Sequence, residues 1–153
     1  KMTPEQVNLN EVVERSVRWV VQSAAASFTV NTKISPNLKC SGSSGQLQQV
    51  VMNLVQNACD ATAIQPEPSL TITGGIENGM VTLRFADNGP GISEEHLGRL
   101  FEPFFTTKPV GQGTGLGLSI SYGIVERHGG KLSARNVPGN GAEFILALPV
   151  ESC

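Results

Sequence analysis

A glycine-punctuated stretch between Asp87 and Leu118 constrains this chain more than any other feature. It opens with DNGPGI over 87–92, passes through a Phe-rich segment and ends in GQGTGLGL over 111–118. Glycine lets the backbone approach a ligand closely. The free amides and positive dipole at the start of a following helix suit a phosphate group. An acidic residue, a glycine turn and a glycine-rich helix start together indicate a nucleotide site.

The composition narrows the class of protein around that site. The chain has 153 residues, of which 39% are hydrophobic and 16% charged, as in one globular domain with a sizeable core. Its net charge of −2 gives no basic face for nucleic acid and no polybasic run for a membrane surface. No apolar run approaches the ~20 residues that span a bilayer. We therefore expect no nucleic acid and no direct membrane contact by this domain.

The three cysteines point to a reducing compartment. Cys40, Cys59 and Cys153 are odd in number and lack the paired spacing of a zinc site. His96 and His128 do not complete a metal cluster with them, so we expect neither zinc nor a disulfide.

The hydrophobic pattern predicts the order of helices and strands. Spacing of three and four residues predicts helices over about 12–25, 44–64 and 116–128, with a short helix over 93–100. Alternation predicts strands over 27–34, 70–73, 80–86, 131–136 and 143–148. Asn10 is the predicted N-cap of the first helix, after a polar lead-in over 1–6, and 41–45 is predicted as a loop. Hairpin turns are expected over 77–79 and 137–141.

This order favours an α+β fold. Strands outnumber helices, and the helices sit singly between strands and hairpins. A two-layer α/β sandwich is expected, with a mixed, mostly antiparallel sheet covered on one face by three helices. We expect one domain over 1–153.

Common phosphate motifs do not account for the glycines. No Gly-Lys-Ser/Thr occurs, so the chain lacks a P-loop, and the dinucleotide fingerprint fails because Leu116 or Leu118 stands where its last glycine is required. What is specific is an ordered set of four motifs. Asn53 and Asn57 lie one turn apart on a predicted helix. The Asp87 turn, a Phe-rich segment over 101–105 and the glycines of 111–117 then follow.

This set resembles the catalytic, ATP-binding domain of sensor histidine kinases, whose Bergerat-type fold is shared with gyrase-type ATPases and the large heat-shock chaperone. Residues 49–61 resemble the N box, 87–92 the first glycine box, 101–105 the F box and 111–117 the second glycine box. The resemblance covers essentially the whole chain. It implies that residues 1–8 are a linker from a missing helical dimerisation and phosphoacceptor domain.

The resemblance implies ATP and Mg²⁺ as ligands and assigns roles to individual residues. Asp87 is similar to the carboxylate that accepts from the adenine amino group; a turn-capping Asp is the alternative. Asn57 resembles the amide that ligates Mg²⁺, and Asn53 a second contact at the metal–phosphate end, the alternative being a solvated helix flank. Lys108 is expected to reach the phosphates, unless it is only an exposed lysine. The further nucleotide contacts implied are Asp60, Gly89, Gly91, Ile92, Gly113, Thr114, Gly115, Leu116, Gly117 and Leu118.

The catalytic candidates are Asn53, Asn57 and Lys108, and the first of them bears on the reaction. Gyrase-like relatives carry a Glu there as general base on water. An Asn cannot take a proton, which favours phosphoryl transfer to a partner. Neither His96 nor His128 precedes an acidic residue as the family's phosphorylated histidine does. The acceptor is thus expected on the separate dimerisation domain.

The family also implies the setting of the reaction. A response-regulator receiver domain is expected to take the phosphate onward. The parent is expected to be a homodimer anchored in the inner membrane of a bacterium, with this domain in the cytoplasm. An ATPase or serine kinase of the same fold, and a non-catalytic nucleotide-binding docking module, are the alternatives.

Some positions depart from the family pattern or keep two interpretations. Asp60 stands where many relatives carry a basic or amide residue, and Ala142 where a Thr is frequent near adenine. Ser43 replaces an Asp that often precedes the N-box helix, a change of cap. Phe101, Phe104 and Phe105 are interpreted as packing anchors for a lid or as contacts for a partner helix.

Overall fold

The structure, a computed structural model, describes residues 5–24, 27–103, 105, 117–138 and 141–150. The described residues form seven strands: β1 (Glu5–Asn8), β2 (Thr29–Ile34), β3 (Lys39–Gly42), β4 (Ser69–Glu77), β5 (Met80–Asp87), β6 (Lys131–Asn136) and β7 (Ala142–Pro149). They also form four helices: α1 (Leu9–Ser23), α2 (Ser44–Ala61), α3 (Glu94–Leu97) and α4 (Gly117–Arg127).

The main sheet is mixed and mostly antiparallel. Its five strands run in the order β2-β4-β5-β7-β6, and β2 pairs with β4 in parallel while every other pair is antiparallel. The helices α1, α2 and α4 cover one face of this sheet, with α2 in contact with both of the other two. The predicted α+β sandwich is confirmed.

The core lies between the sheet and these helices. Alternate residues of β5 point inward, and Leu83 and Phe85 are 1% exposed opposite Leu146 and Phe144 of β7. The apolar stripe of α2, including Leu47, covers them. Burial of one such side chain stabilises the fold by about 1.5–3 kcal/mol. Because Asp87 continues the inward-facing series of β5, it is carried into the same layer.

A second, two-stranded sheet corrects the prediction for the first 45 residues. β1 pairs antiparallel with β3, and Val7 opposite Cys40 is buried with it. The loop predicted over 41–45 is wrong, because β3 extends to Gly42 and α2 begins at Ser44, and residues 5 and 6 of the predicted polar lead-in over 1–6 belong to β1. Strands of four residues contain only two inward positions, too few for the alternation to stand out.

The cap of α1 was also assigned to the wrong residue. Asn8 is the N-cap and accepts from the Glu11 amide at 3.2 Å. Asn10 lies within the first turn, where its side chain donates to the Ser35 carbonyl at 3.1 Å and accepts from the Leu38 amide at 2.9 Å. Both asparagines precede the apolar stripe, and the end of β1 at Asn8 decides between them.

The remaining elements differ from prediction mainly at their ends. The hairpin turn predicted over 77–79 is confirmed. Asn78 and Gly79 both have positive φ, as a two-residue hairpin loop requires. α2 ends at Ala61, since the Thr62 amide makes the last bond to a carbonyl four residues back, Ala58 at 3.1 Å, and the Ala63 amide donates only three residues back, to Asp60 at 3.3 Å. The short helix is confined to Glu94–Leu97, and β2 begins at 29. Residues 139–140 of the last hairpin, and Leu116 before α4, lie outside the described residues.

Candidate nucleotide-binding site

Asp87 stands at the end of β5, buried and held by the backbone. Its side chain is 6% exposed within the core layer. The Gly89 amide donates to Oδ1 at 2.9 Å, and the Ala142 amide donates to the same oxygen at 3.3 Å. Among the described residues, both hydrogen bonds that reach the Asp87 side chain end on Oδ1. This arrangement leaves Oδ2 to accept from a ligand.

The surroundings of Asp87 shift the pKa of its carboxyl group. Burial raises the pKa of the Asp87 carboxyl above its ordinary range, and the hydrogen bonds from Gly89 and Ala142 partly oppose this by lowering the pKa. An ionised carboxylate in such a place gains from a donor that reaches its second oxygen. Gly141 is required beside it, because a Cβ there would overlap Oδ1 and the carbonyl oxygen of Asp87.

The turn after Asp87 is fixed at both sides. Asn88 donates through Nδ2 to the Glu67 carbonyl at 2.8 Å and accepts at Oδ1 from the Ser69 amide at 3.0 Å. At Gly89 an added Cβ would lie 2.8 Å from the Ala61 carbonyl oxygen at the end of α2. The acid turn and the Asn-bearing helix therefore meet directly.

Asn136 holds the segment that follows the turn. The Ile92 amide donates to Asn136 Oδ1 at 2.7 Å, and Asn136 Nδ2 donates back to the Ile92 carbonyl. This paired contact ties Ile92 and the adjoining Gly91 to the end of β6. Sequence reasoning missed Asn136 because an Asn at a strand end is ordinary before a turn.

The two asparagines of α2 lie half-buried on one stripe. Asn53 donates through Nδ2 to the Gly117 carbonyl at 3.3 Å and to Ser121 Oγ at 3.1 Å. Asn57, one turn later, is equally half-buried. The structure thus joins Asn53 to α4, and Ser121 is a site residue that sequence reasoning missed. A Ser inside a helix carries no signal of its own.

Asp60 is exposed at the end of the same stripe. Its Oδ1 accepts from Gln56 Nε2 at 3.0 Å, one turn earlier on α2. The described residues contain no group of three or more His, Cys, Asp or Glu side chains able to hold a metal ion. A cation here would draw most of its ligands from the nucleotide and from water, as Mg²⁺ commonly does.

In the Phe-rich segment, Phe101 and Phe105 both pack against neighbouring aromatic rings. Phe101 stacks on Tyr122 of α4 with ring centroids 5.2 Å apart and meets Phe144 edge-on at 6.5 Å. Phe105 lies 5.3 Å from the His96 ring, and the Arg99 guanidinium lies 4.7 Å over it. These contacts attach the Phe-rich segment to α3, α4 and β7. Ile92 and Leu118 are half-buried against the same core.

Some predicted site residues cannot be placed. Phe104, Lys108, Gly113, Thr114, Gly115 and Leu116 lie outside the described residues. The described part of the candidate site is therefore the Asp87 turn, the α2 stripe and the start of α4.

The family described as histidine kinase-, DNA gyrase B-, and HSP90-like ATPase matches residues 42–152. The catalytic domain of histidine kinase ThkA superposes with a TM-score of 0.82 at 33% identity, over 99% of this chain and 100% of that one. This chain belongs to that ATPase family and is a catalytic domain of the sensor histidine kinase type. Membership implies ATP binding, and the predicted family is confirmed.

Two curated proteins similar to this chain are also sensors of this kind. The sensor histidine kinase ZraS of Klebsiella oxytoca is 38% identical over 149 residues, which cover 95% of this chain and 31% of that protein. The two-component sensor PprA of Pseudomonas aeruginosa is 46% identical over 114 residues, 71% of this chain and 12% of that protein. The chain thus spans about a third or less of these relatives. Among the described helices, none is long and apolar enough to cross a membrane.

Proposed function

We propose that this chain binds Mg-ATP and transfers the γ-phosphate to a histidine on a separate helical dimerisation domain. A response-regulator aspartate would then take the phosphate. The observation that carries the proposal is the buried Asp87, whose Oδ1 is held by two amides while the turn after it touches the end of α2. This contact brings Asp87, which is the proposed acceptor for adenine, next to the helix that carries Asn53 and Asn57.

Asp87 would select adenine. Its Oδ2 accepts a hydrogen bond from the exocyclic amino group, which guanine replaces with an oxo group that a carboxylate repels. A hydrogen bond to a charged acceptor is worth about 1.5–3 kcal/mol. The Asn136 contact keeps Gly91 and Ile92 in place as part of the adenine wall.

Asn57 would hold Mg²⁺ through its side-chain oxygen, with Asn53 contacting the same end of the nucleotide. When bound, Mg²⁺ neutralises charge on the β- and γ-phosphates. A hard cation prefers such oxygen donors and keeps several waters. Lys108, as a point charge, and the segment Gly113–Leu118 are proposed to contact the phosphates.

Transfer is favoured over hydrolysis by the chemistry of Asn53. An amide has no basic site that takes a proton from water at neutral pH, so it does not generate a hydroxide nucleophile. A neutral histidine nitrogen of a partner domain needs no such base, because its lone pair attacks the γ-phosphorus directly while the bond from that phosphorus to the bridging oxygen breaks and ADP leaves.

The setting of the whole protein is also part of the proposal. We place this domain in the cytoplasm of a homodimeric bacterial sensor anchored in the inner membrane. Residues 1–8 would connect it to the dimerisation domain through β1, which pairs with β3 of this domain, and 1–153 would form one domain.

The test has two stages. Calorimetric titration of the chain with ATP, with and without Mg²⁺, should show saturable binding that Mg²⁺ strengthens. A helical dimerisation domain is then added with γ-labelled Mg-ATP, and acid-labile phosphohistidine is compared with released phosphate. Label on the histidine domain supports the proposal. Steady phosphate release without transfer would identify an ATPase. Nucleotide binding with neither transfer nor release would leave the docking module, and absence of nucleotide binding by a folded chain would refute the proposal.

A further inference from the structure

The Asn53 amide nitrogen is held by two acceptors on α4. These are the Gly117 carbonyl at 3.3 Å and Ser121 Oγ at 3.1 Å. Gly117 and Ser121 are four residues apart, so they lie one above the other on one face of the helix. They lie in the first two turns of α4, which begins at the last glycine of the segment 111–117.

The chemistry of the acceptors fixes the orientation of the amide. A backbone carbonyl has lone pairs and no proton, so only the NH₂ end of Asn53 can face Gly117. The Asn53 oxygen therefore points away from these two acceptors. Ser121 is fully buried, at 0% exposure, which keeps its hydroxyl out of water and directed at its protein partners.

We propose that Ser121 is a positioning residue, whose hydroxyl holds the Asn53 amide so that Oδ1 faces the metal–phosphate end of bound Mg-ATP. The inference rests on the proposed function, since a magnesium-bound triphosphate is the ligand that this oxygen would serve. Without Ser121, the Gly117 carbonyl alone restrains the amide. Mg-ATP binding must then also restrict the rotation of the Asn53 amide. This should lower the affinity for Mg-ATP about three- to tenfold.

The first test compares two buried helical serines. Ser121→Ala removes the hydroxyl from the site, whereas Ser16→Ala removes one from α1, where Ser16 is also 0% exposed and donates to the Val12 carbonyl at 2.8 Å. Both variants are titrated by calorimetry with Mg-ATP and with ATP in excess chelator. Ser121→Ala should weaken Mg-ATP binding about three- to tenfold relative to Ser16→Ala and leave metal-free ATP binding unchanged. An equal loss with and without Mg²⁺, or no loss, would overturn the proposal.

A double-mutant cycle shows whether the effect passes through Asn53. Asn53→Ala is combined with Ser121→Ala, and the second change should cost nothing further once the amide is gone. A full additional loss would mean that Ser121 acts by another route. Ser121→Thr keeps the hydroxyl, so it should restore Mg-dependent affinity, and thermal unfolding checks that each variant is folded.

A readout without nucleotide separates this inference from the proposed function. In the nucleotide-free chain, the Asn53 side-chain amide protons should exchange more slowly than those of an exposed Asn, and Ser121→Ala should speed that exchange. If the wild-type chain binds no nucleotide, the proposed function fails and this inference fails with it. Normal Mg-ATP binding by the wild type, with unchanged amide exchange and affinity in Ser121→Ala, would refute the inference alone.

Discussion

If Asp87 selects adenine as proposed, replacing it by Asn should give a site that no longer rejects guanine. The amide oxygen of Asp87→Asn can still accept from the Gly89 and Ala142 amides, which meet Oδ1 at 2.9 and 3.3 Å. Its NH₂ then takes the place of Oδ2 and faces the adenine amino group, donor against donor. The lost charge-assisted hydrogen bond is worth about 1.5–3 kcal/mol, or roughly 10- to 150-fold in the Kd for ATP.

The same change should not destabilise the nucleotide-free chain. Burial raises the pKa of Asp87, so its ionisation is less favourable in the folded state than in the unfolded state. At pH values above the folded pKa, the ionised carboxylate therefore lowers the free energy of unfolding. This cost disappears as the pH falls and the carboxyl is protonated. A neutral amide avoids the cost, so Asp87→Asn should unfold at the same temperature or higher at pH 7.

Calorimetric titrations with ATP and with GTP, together with thermal unfolding, check both parts. ATP affinity should fall while GTP affinity holds or rises, because the new NH₂ can donate to the guanine oxo group. Glu67→Gln is the matched control, since it makes the same chemical change at an exposed residue near the acid turn. Equal losses for ATP and GTP, or a lower unfolding temperature, would refute the reasoning.

Three further substitutions probe the supports of the site. Asn136→Ala removes both contacts to Ile92 and should weaken ATP binding about three- to tenfold in calorimetry with little change in unfolding temperature. Gly141→Ala places a Cβ on the Asp87 carboxyl and carbonyl and should lower the free energy of unfolding by about 1–3 kcal/mol in urea titration. His128→Phe leaves the half-buried Ser43 amide, which donates to His128 Nε2 at 3.1 Å, without its partner and should lower the free energy of unfolding by about 0.5–1.5 kcal/mol in the same assay. Unchanged values in these assays would contradict each expectation.

The long elements and the acid were predictable from sequence because their signals are local. The stripe of α2 and the alternation of β5 each extend over many residues, and Asp87 follows β5 directly. The contacts that organise the site are not local. Asn136 meets Ile92 from 44 residues away, and Ser121 meets Asn53 from 68 residues away. Nothing in the sequence around these partners distinguishes them from ordinary turn and helix residues.

The two ends of the site are built in different ways, and this separates what each can control. The proposed adenine end rests on β5 and β7, where the Gly89 amide just after β5 and the Ala142 amide of β7 donate to one carboxylate oxygen. The proposed phosphate end rests on contacts between α2 and α4, which include the hydrogen bond from Asn53 to Ser121. A sheet shifts little, whereas two helices joined by side chains can change their spacing. Base selection should therefore stay constant while metal and phosphate contacts respond to the position of α4.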